Sequence, residues 1–589
     1  MHGHGSCDRK ATTIATHVDI VEIRVYRGPN LYFTRPAVRL TVSVPGWQRA
    51  TPERLAAIAA EVGLSQTAQP GPRGSQQRRR FVARLGAHVG RELARVLSTR
   101  LAVRGRPAST PDQIEIAFPW RRRGTAEAFA AEVAGLLRDL LITRRRFVSL
   151  LADAAARVDA AEPGAVPELA EPRVPVIAVT GTNGKTTTVR LLAHVLRGAG
   201  LSVAYSSTDG VYRDGVLVED GDYAGPSGAA LALAQPGIDA VVLETARGGI
   251  LLQGLGTPSN DVSVVTNVSR DHLGLHGIET LDQLAEVKGT ITRVTKPDGW
   301  TVFNADDPRV LGMRRRSPAH PFVFTLDPRH PAIREALADG GRAATVLDGD
   351  VTIFGPRNRS RSVIAIEDVP STLAGVAQHS VRNALAVTAA AIAVGVDADR
   401  IAESLRSFIP DADSNPGRAN VYTIDGKVVV VDYAHNEDGI ESLTAVLQAF
   451  RAPGREVWLA FGTAGDRTDE IVHAFGYRAG RGADHPIVAE LHRYLRGRAP
   501  ADLVERLRAA AIDAGARDVP SEPDEVHAME RMLRSSRPGD VIGITALAQR
   551  PEIFALLESR GGVRADPATV KRLVRAARRP VRATSGRRR

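Results

Sequence analysis

A turn rich in glycine and threonine begins at residue 180 and carries the residue types that bind phosphate. It reads Thr180-Gly181-Thr182-Asn183-Gly184-Lys185-Thr186-Thr187. Apolar residues precede it, and the apolar residues after it recur at helical spacing. Glycines let backbone N–H groups approach an anion, and a helix N-terminus adds partial positive charge. The pattern predicts a P-loop in which Lys185 reaches the β- and γ-phosphates of a nucleotide and the Thr186 hydroxyl binds Mg²⁺.

The turn departs from the P-loop pattern at one position, because the first glycine of that pattern would fall where Val179 stands. A bare Gly-Lys-Thr also occurs by chance. The alternative is a glycine-bearing turn with an incidental lysine. The strand before the turn and the helix after it favour nucleotide binding.

Further polar side chains stand where later strands end. Glu244 ends the apolar run 240–243, and Asn267 follows the run 262–266. Asp271 and His272 come one short turn later, and Lys288 lies on the next predicted helix. Ligands of open α/β sheets collect at the carboxyl ends of the strands, so we expect Glu244 and Asn267 near the phosphates.

These residues must be positioned by α/β domains. From residue 174 the sequence alternates strands and helices, which predicts a mostly parallel sheet with helices on both faces. A second α/β unit, Rossmann-like, follows the turn Asn415-Pro416-Gly417-Arg418. Two of its strands end in Asp432-Tyr433-Ala434-His435-Asn436 and in a loop that contains Asp466 and Arg467.

The first segment is predicted to be a small α+β domain. Strands are expected at 21–26, 38–44 and 113–118, and helices at 81–96 and 126–141, with a loop over 69–80. The predicted units are an N-terminal domain (1–160), a linker (161–173), a central ATP-binding domain (174–410), a C-terminal domain (411–560) and a disordered basic tail (561–589).

Composition excludes several classes of protein. The chain has 589 residues and a net charge of +11, but nine Lys/Arg and no Asp/Glu lie between Lys571 and Arg589. The body is therefore nearly neutral, and specific nucleic-acid binding is not expected. With Cys7 as the only cysteine and no apolar run of membrane-spanning length, a cytoplasmic protein without a membrane segment is expected.

Taken together, the motifs resemble the Mur ligases. The P-loop, Asn267 with Asp271-His272, and Lys288 match the central domain of that family. The stretches 382–386, 416–418 and 432–436 extend the match into the C-terminal domain. Segments 206–210, 221–226, 244–250 and 495–498 resemble the ligase half of the cyanophycin synthetases, as does the N-terminal Arg27-Gly28-Pro29-Asn30.

The resemblance implies an ATP-dependent ligase that activates a carboxylate as an acyl phosphate and joins it to the amine of an amino acid. The acceptor would be a peptide or polymer bearing carboxylates. Mg²⁺ would be held by Thr186 and Glu244, and a second ion by His272 and a carbamylated Lys288, with Asn267 orienting that shell. A surface or core role is the alternative for each of these side chains.

The resemblance also assigns the remaining site residues. Asn383 would contact adenine, Arg418 the γ-phosphate and Asp432 the ribose, while residues 181–187 hold the phosphates. The candidates for binding the incoming amino acid are Asp466, Arg467, His492, Arg496 and Arg498, and the alternative for them is a polar rim.

The sequence departs from the family in three places. The ATP-grasp domain that separates the two halves of cyanophycin synthetase is absent between residues 160 and 174, so synthesis of a whole polymer by this chain is not expected. His379-Ser380 stands where the family has His-Asn, and Glu437 replaces a proline.

Two other functions stay open at this point. One is a non-catalytic, ATP-binding partner subunit of another ligase. The other is a ligase of the folylpolyglutamate type or of cell-wall precursors. The identity of the acceptor and of the amine, and whether the chain forms a homo-oligomer, also stay open.

Overall fold

The computed structural model describes residues 17–64, 69–169, 171–271, 273–356 and 359–578. They form three sheets of four, eleven and seven strands. Within these ranges no helix is long and apolar enough to cross a lipid bilayer.

The N-terminal domain is an antiparallel sheet with helices packed on one face. Its strand order is β1-β2-β4-β3. The elements are β1 (Asp19–Tyr26), β2 (Ala37–Ser43), α1 (Pro45–Arg49), α2 (Pro52–Glu61), α3 (Gln76–Val96), β3 (Arg104–Pro107), β4 (Gln113–Pro119), α4 (Arg123–Ile142) and α5 (Phe147–Asp159). The predicted strands and helices of this domain are confirmed to within a few residues.

One boundary in this domain was predicted wrongly. Helix α3 begins at Gln76, inside the predicted loop, because the Ser75 hydroxyl accepts a hydrogen bond from the Arg78 backbone N–H at 3.1 Å. The Arg78 guanidinium is fully buried and donates to the carbonyls of Gly71 and Ala50, both at 2.8 Å. An arginine that satisfies backbone carbonyls in this way belongs to the core, although the sequence presents it as a loop residue.

The central domain is built on the eleven-stranded sheet, whose middle strands are parallel and whose two ends carry antiparallel strands. Its strands are β5 (Val176–Thr180), β6 (Val203–Ser207), β7 (Gly210–Arg213), β8 (Val216–Glu219), β9 (Ala240–Glu244), β10 (Asn260–Val265), β11 (Thr295–Asn304), β12 (His320–Thr325), β13 (Arg342–Leu347), β14 (Asp350–Phe354) and β15 (Ser360–Ala365).

Helices cover both faces of this sheet. They are α6 (Lys185–Gly198), α7 (Pro226–Leu233), α8 (Arg247–Leu252), α9 (Leu281–Lys288), α10 (Thr290–Arg293), α11 (Pro308–Gly312), α12 (Pro331–Ala338), α13 (Gln378–Ala393) and α14 (Ala398–Ser407), with short 3₁₀ helices at Met313–Arg316, Ile366–Asp368 and Pro370–Thr372. Strand β5 is buried along its whole length between β9 and β10. The turn after it therefore opens at the middle of the sheet edge.

The C-terminal domain has a seven-stranded mixed sheet in the order β20-β19-β18-β21-β17-β16-β22. Its elements are β16 (Asn420–Ile424), β17 (Lys427–Asp432), α15 (Glu437–Phe450), β18 (Val457–Phe461), α16 (Asp469–Gly482), β19 (His485–Ala489), α17 (Pro500–Asp513), β20 (Ser521–Glu522), α18 (Glu525–Ser535), β21 (Val541–Thr545), α19 (Arg550–Ser559), β22 (Val563–Arg564) and α20 (Pro567–Ala577).

The predicted basic tail is partly folded. Asp566 caps helix α20, and Val570 and Val574 bury their side chains in the core of the C-terminal domain. Lys571 and Arg575 form ion pairs with Asp368 and Glu367 of the central domain. The prediction of disorder was wrong for residues 561–578, because two apolar residues at helical spacing lie within the run of positive charge. Residues 579–589 lie outside the described part.

The N-terminal and central domains share one apolar cluster. Tyr26, Leu31 and Phe33 pack with Ile250 and Leu255 of the central domain. The Tyr26 hydroxyl donates to the Leu251 carbonyl at 3.0 Å, and the Leu255 N–H donates to the Pro29 carbonyl at 2.7 Å. The Arg27-Gly28-Pro29-Asn30 turn thus docks the first domain on the second.

Candidate active site

A cavity of about 1010 Å³ lies between the carboxyl edge of the eleven-stranded sheet and the C-terminal domain. Fourteen of the predicted site residues line it: Gly181, Thr182, Asn183, Gly184, Lys185, Thr186, Thr187, Glu244, Asn267, Lys288, Asn383, Arg418, Asp432 and Arg496. Most of the predicted site therefore meets in one place.

Neighbouring residues fix the conformation of the P-loop. Gly184 has φ +85°, and a Cβ there would lie 2.5 Å from the Asn383 side-chain oxygen. The Asn183 backbone N–H donates to the Asn267 side-chain oxygen at 2.9 Å, and the Asn267 amide donates back to the Asn183 carbonyl at 3.0 Å. Asn267 therefore shapes the loop itself, while its predicted role at a metal ion stays a prediction.

Two lysines approach adjacent carbonyls of the P-loop. Lys185 Nζ donates to the Thr182 carbonyl at 2.9 Å, and Lys288 Nζ donates to the Gly181 carbonyl at 2.6 Å. Lys288 is almost fully buried. Burial, and after it the positive charge of Lys185, lowers the pKa of Lys288 well below the usual value for a lysine. A lowered pKa favours the neutral, nucleophilic form of a lysine amine, which is the form that carbamylation requires.

Glu244 and Thr186 form the oxygen pair expected of a magnesium site. Glu244 is 2% exposed, and its carboxylate accepts the Thr186 hydroxyl at 2.9 Å and the Thr208 hydroxyl at 2.8 Å. Hard oxygen donors of this type suit Mg²⁺, which otherwise keeps phosphate and water ligands. Among the described residues no group of three or more His, Cys, Asp and Glu lies together as a metal site, so the protein would supply only part of the shell.

His272 lies outside the described residues, so its predicted place at a second ion cannot be compared with the structure. Its neighbour Asp271 is described and is 7% exposed. Asp271 pairs with Arg467 Nη2 at 2.9 Å, and His435 Nε2 lies 3.5 Å from its other oxygen. These contacts join the central and C-terminal domains beside the P-loop.

Arg418 and Asp432 enter the cavity from the C-terminal domain. The Arg418 guanidinium stacks 4.6 Å from the centre of the Tyr433 ring. Asp432 accepts the Ala419 N–H at 2.8 Å. Burial raises the pKa of Asp432, and the charges of His379 and Arg418 oppose that rise. Both side chains line the same cavity as the P-loop.

The predicted amino-acid-binding residues divide into two groups. Asp466 pairs with Arg496, which lines the cavity, and with Arg467 at 3.6 Å. His492 is largely exposed and its Nε2 lies 3.2 Å from the Pro523 carbonyl, away from the cavity.

Arg498 braces the loop instead of facing the cavity. It donates to the carbonyls of Gly465 at 3.1 Å and Arg467 at 2.8 Å, and it pairs with Asp469 and Asp502. Of the five predicted amino-acid-binding residues, Arg496 alone lines the cavity. The binding role of the other four stays a prediction, and His492 and Arg498 contact backbone and side chains of their own domain.

Several cavity residues were not predicted as site residues. They include Asp222, Arg247, His276, Asp306 and Asp307. Asp306 and Asp307 follow strand β11. Like Glu244 and Asn267, these two carboxylates stand at the end of a strand, so the same reasoning from strand ends could have predicted them.

Comparison with known proteins assigns the family. A family model described as the Mur ligase middle domain matches residues 179–391, and one described as the Mur ligase glutamate ligase domain matches residues 417–546. The two matches together cover more than half of the chain. The chain belongs to the Mur ligase family.

Two relatives within or near this family are informative. Cyanophycin synthetase of Geminocystis herdmanii is 41% identical over 318 residues, which is 54% of this chain and 36% of that protein. The 2,6-diaminopimelate-adding UDP-N-acetylmuramoyl-L-alanyl-D-glutamate ligase of Chlorobaculum tepidum is 27% identical, over 59% of this chain and 71% of that protein. The chain thus matches about a third of the length of the first relative.

Among solved structures, E. coli FolC in complex with ADP aligns with a TM-score of 0.48 and 18% identity, over 67% of this chain and 91% of that chain.

Proposed function

We propose that this Mur ligase is an ATP-dependent ligase that joins a carboxylate to the amine of an amino acid through an acyl phosphate. The observation that carries the proposal is the approach of Lys185 and Lys288 to neighbouring carbonyls of one P-loop, at 2.9 and 2.6 Å. A P-loop that only binds a nucleotide needs the first lysine and has no use for the second.

Phosphoryl transfer is the first step. An acceptor carboxylate oxygen attacks the γ-phosphorus of ATP, the bond from that phosphorus to the bridging oxygen breaks, and ADP leaves. Negative charge builds on the transferred group, so the site must be cationic and preorganised. Lys185 and the loop N–H groups supply this from the central domain, and Arg418 supplies it from the C-terminal domain.

Mg²⁺ held by Thr186 and Glu244 would neutralise charge on the phosphate oxygens. Lys288, once carbamylated, would present a carboxylate on a long arm at the carbonyl of Gly181. Its unmodified ammonium could not hold a cation, whereas a carbamate oxygen can.

Amide formation is the second step. The amine nitrogen attacks the acyl carbon, the bond from carbon to the phosphate oxygen breaks, and phosphate leaves. Arg496 lines the cavity and pairs with Asp466, and in this proposal it would bind the carboxylate of the incoming amino acid. The relationship to cyanophycin synthetase supports an acceptor whose carboxylate belongs to an aspartate side chain and an amine donor such as arginine.

The test is phosphate release from ATP with Mg²⁺ over a panel of aspartate-rich peptides and amino acids, with mass spectrometry of each peptide. We expect phosphate release that depends on the amine. The mass of the peptide should rise by that of each added amino acid minus one water. Lys185→Ala must abolish both signals. ATP binding without turnover on any pair would favour a partner subunit instead, and turnover with a folate or a cell-wall precursor would favour another ligase of the superfamily.

A further inference from the structure

One carboxylate of the central domain, Asp209, pairs with two arginines that belong to different domains. Asp209 lies in the turn between β6 and β7. Its Oδ2 lies 3.1 Å from Nη2 of Arg190 on helix α6, and its Oδ1 lies 3.2 Å from Nη2 of Arg550 at the start of helix α19. Asp209 therefore bridges an arginine from each domain.

The same two arginines hold the connecting chain. Arg190 Nη1 donates to the Ser414 carbonyl at 3.2 Å, and Arg550 Nη1 donates to the Pro416 carbonyl at 3.2 Å. Gly417 has φ +68°, and a Cβ there would lie 2.6 Å from Arg550 Cδ. Arg550 is thus packed against the turn that immediately precedes Arg418.

The turn that carries Asp209 also touches the phosphate end of the cavity. Thr208 donates to Glu244 from its hydroxyl at 2.8 Å and from its backbone N–H at 3.3 Å. Arg550 lies 5.2 Å from the centre of the Tyr433 ring, on which Arg418 also stacks. One turn of four residues therefore lies between the candidate magnesium ligand and the arginine that the C-terminal domain contributes.

We propose that Asp209 is a positioning residue that fixes the chain at residues 414–418 through Arg190 and Arg550, and so places Arg418 over the transferred phosphate. This inference rests on the proposed function and identifies the residue that holds Arg418 at that site. Removal of the carboxylate leaves the two arginine side chains near each other without their shared partner. Arg190 and Arg550 then repel each other, the chain at residues 414–418 is held less firmly, and Arg418 is no longer fixed in one position.

The experiment compares Asp209→Asn with Asp209→Glu and with Asp368→Asn. Asp368 pairs with Lys571, so the last variant breaks another ion pair between the same two domains. Asn keeps the size of Asp209 and removes its charge, whereas Glu keeps the charge.

We expect Asp209→Asn to lower kcat by about tenfold to 100-fold, because misplacement of a group that acts in the transition state has effects of this size. Binding of a non-hydrolysable ATP analogue should change by less than about threefold, since the P-loop is intact. Asp209→Glu should recover part of kcat, and Asp368→Asn should keep it. An unchanged kcat in Asp209→Asn, or an equal loss in Asp368→Asn, would overturn the proposal.

Amide hydrogen exchange gives a second readout that needs no turnover. In Asp209→Asn without ligand, residues 411–420 should exchange faster than in the wild type, while residues 176–200 should not. Equal exchange at 411–420 in the two proteins would refute the positioning role. If the two proteins differ in exchange at 411–420 but the wild type ligates no substrate pair, the proposed function alone would be refuted.

Discussion

Asn183 and Asn436 exchange two side-chain hydrogen bonds across the domain boundary. Asn436 Nδ2 donates to Asn183 Oδ1 at 2.8 Å, and Asn183 Nδ2 donates to Asn436 Oδ1 at 3.2 Å. Asn436 is 1% exposed and also caps helix α15 by accepting the Gly439 N–H at 2.9 Å. The tip of the P-loop is thus fastened to the domain that closes over it.

The two roles of Asn436 can be separated. We expect Asn436→Asp to keep the helix cap, because a carboxylate oxygen accepts the Gly439 N–H as well as an amide oxygen does. It removes the donor to Asn183, so kcat/KM for ATP should fall about tenfold while the unfolding temperature stays close to that of the wild type. Asn436→Ala should lose both activity and about 1 kcal/mol of stability. Equal activity of Asn436→Asp and wild type would contradict a role for the pair in closure.

Lys288 should be modified by CO₂. Burial and the charge of Lys185 lower the pKa of Lys288, which favours the neutral amine that reacts with CO₂, so a carbamate should form with ¹³C-bicarbonate at pH 8. The carbamate carbon should appear by ¹³C NMR in the wild type and vanish in Lys288→Met. Lys185→Met should retain it, because burial, the larger cause of the lowered pKa of Lys288, is unchanged. Acidification should remove it, because protonation of the carbamate breaks its N–C bond, CO₂ leaves, and the lysine amine that remains takes up a proton. A spectrum at pH 8 without this signal would contradict the prediction.

Gly184 should tolerate no side chain. Gly184→Ala places a Cβ 2.5 Å from the Asn383 oxygen at a φ of +85°, so nucleotide affinity should fall more than about tenfold. Gly200 is a matched control, with φ +93° and nothing within 4 Å of a built Cβ. Gly200→Ala should carry the same backbone strain and leave the affinity for ADP unchanged in calorimetry. Comparable losses in both variants would show that strain, and not the collision with Asn383, is responsible.

The Asp209 carboxylate should make stability depend on pH. Burial opposes its ionisation, but the charges of Arg190, Arg418 and Arg550 outweigh that effect and hold the pKa of Asp209 below the ordinary value of 3.8. A lowered pKa in the folded state means that the stabilisation is present above pH 3.8 and is lost as the pH falls through the lowered pKa. The unfolding temperatures of wild type and Asp209→Asn should therefore differ at pH 6 and converge below that pKa. A gap that widens at low pH would contradict this assignment.

The parts of the site that follow from local sequence were predictable. The P-loop, Glu244 and Asn267 each end a buried strand, and strand ends of a parallel sheet must share one edge. Their position in one cavity could be predicted from the order of the strands and helices alone. The position of Lys288 could not, because its burial comes from the packing of helix α9, and its prediction rested on the family resemblance.

The remainder depends on contacts between distant residues. Arg498 has the residue type of a ligand-binding group, yet it satisfies two carbonyls and two carboxylates of its own domain. The Asp209 bridge joins residues 341 positions apart along the chain. No local pattern reports such a pairing, and helix α20 was missed because its two buried valines lie among basic residues.

The apolar cluster shared by the N-terminal and central domains limits how this molecule can move. Because Tyr26, Leu31 and Phe33 are buried against Ile250 and Leu255, the first two domains form one rigid platform. The third domain meets this platform through polar pairs such as Asn183–Asn436 and Asp271–Arg467, and also through Leu373 and Ala377, which lie in its own apolar cluster. Any opening of the cavity must therefore break polar pairs beside the P-loop, while the apolar contacts at Leu373 and Ala377 can persist.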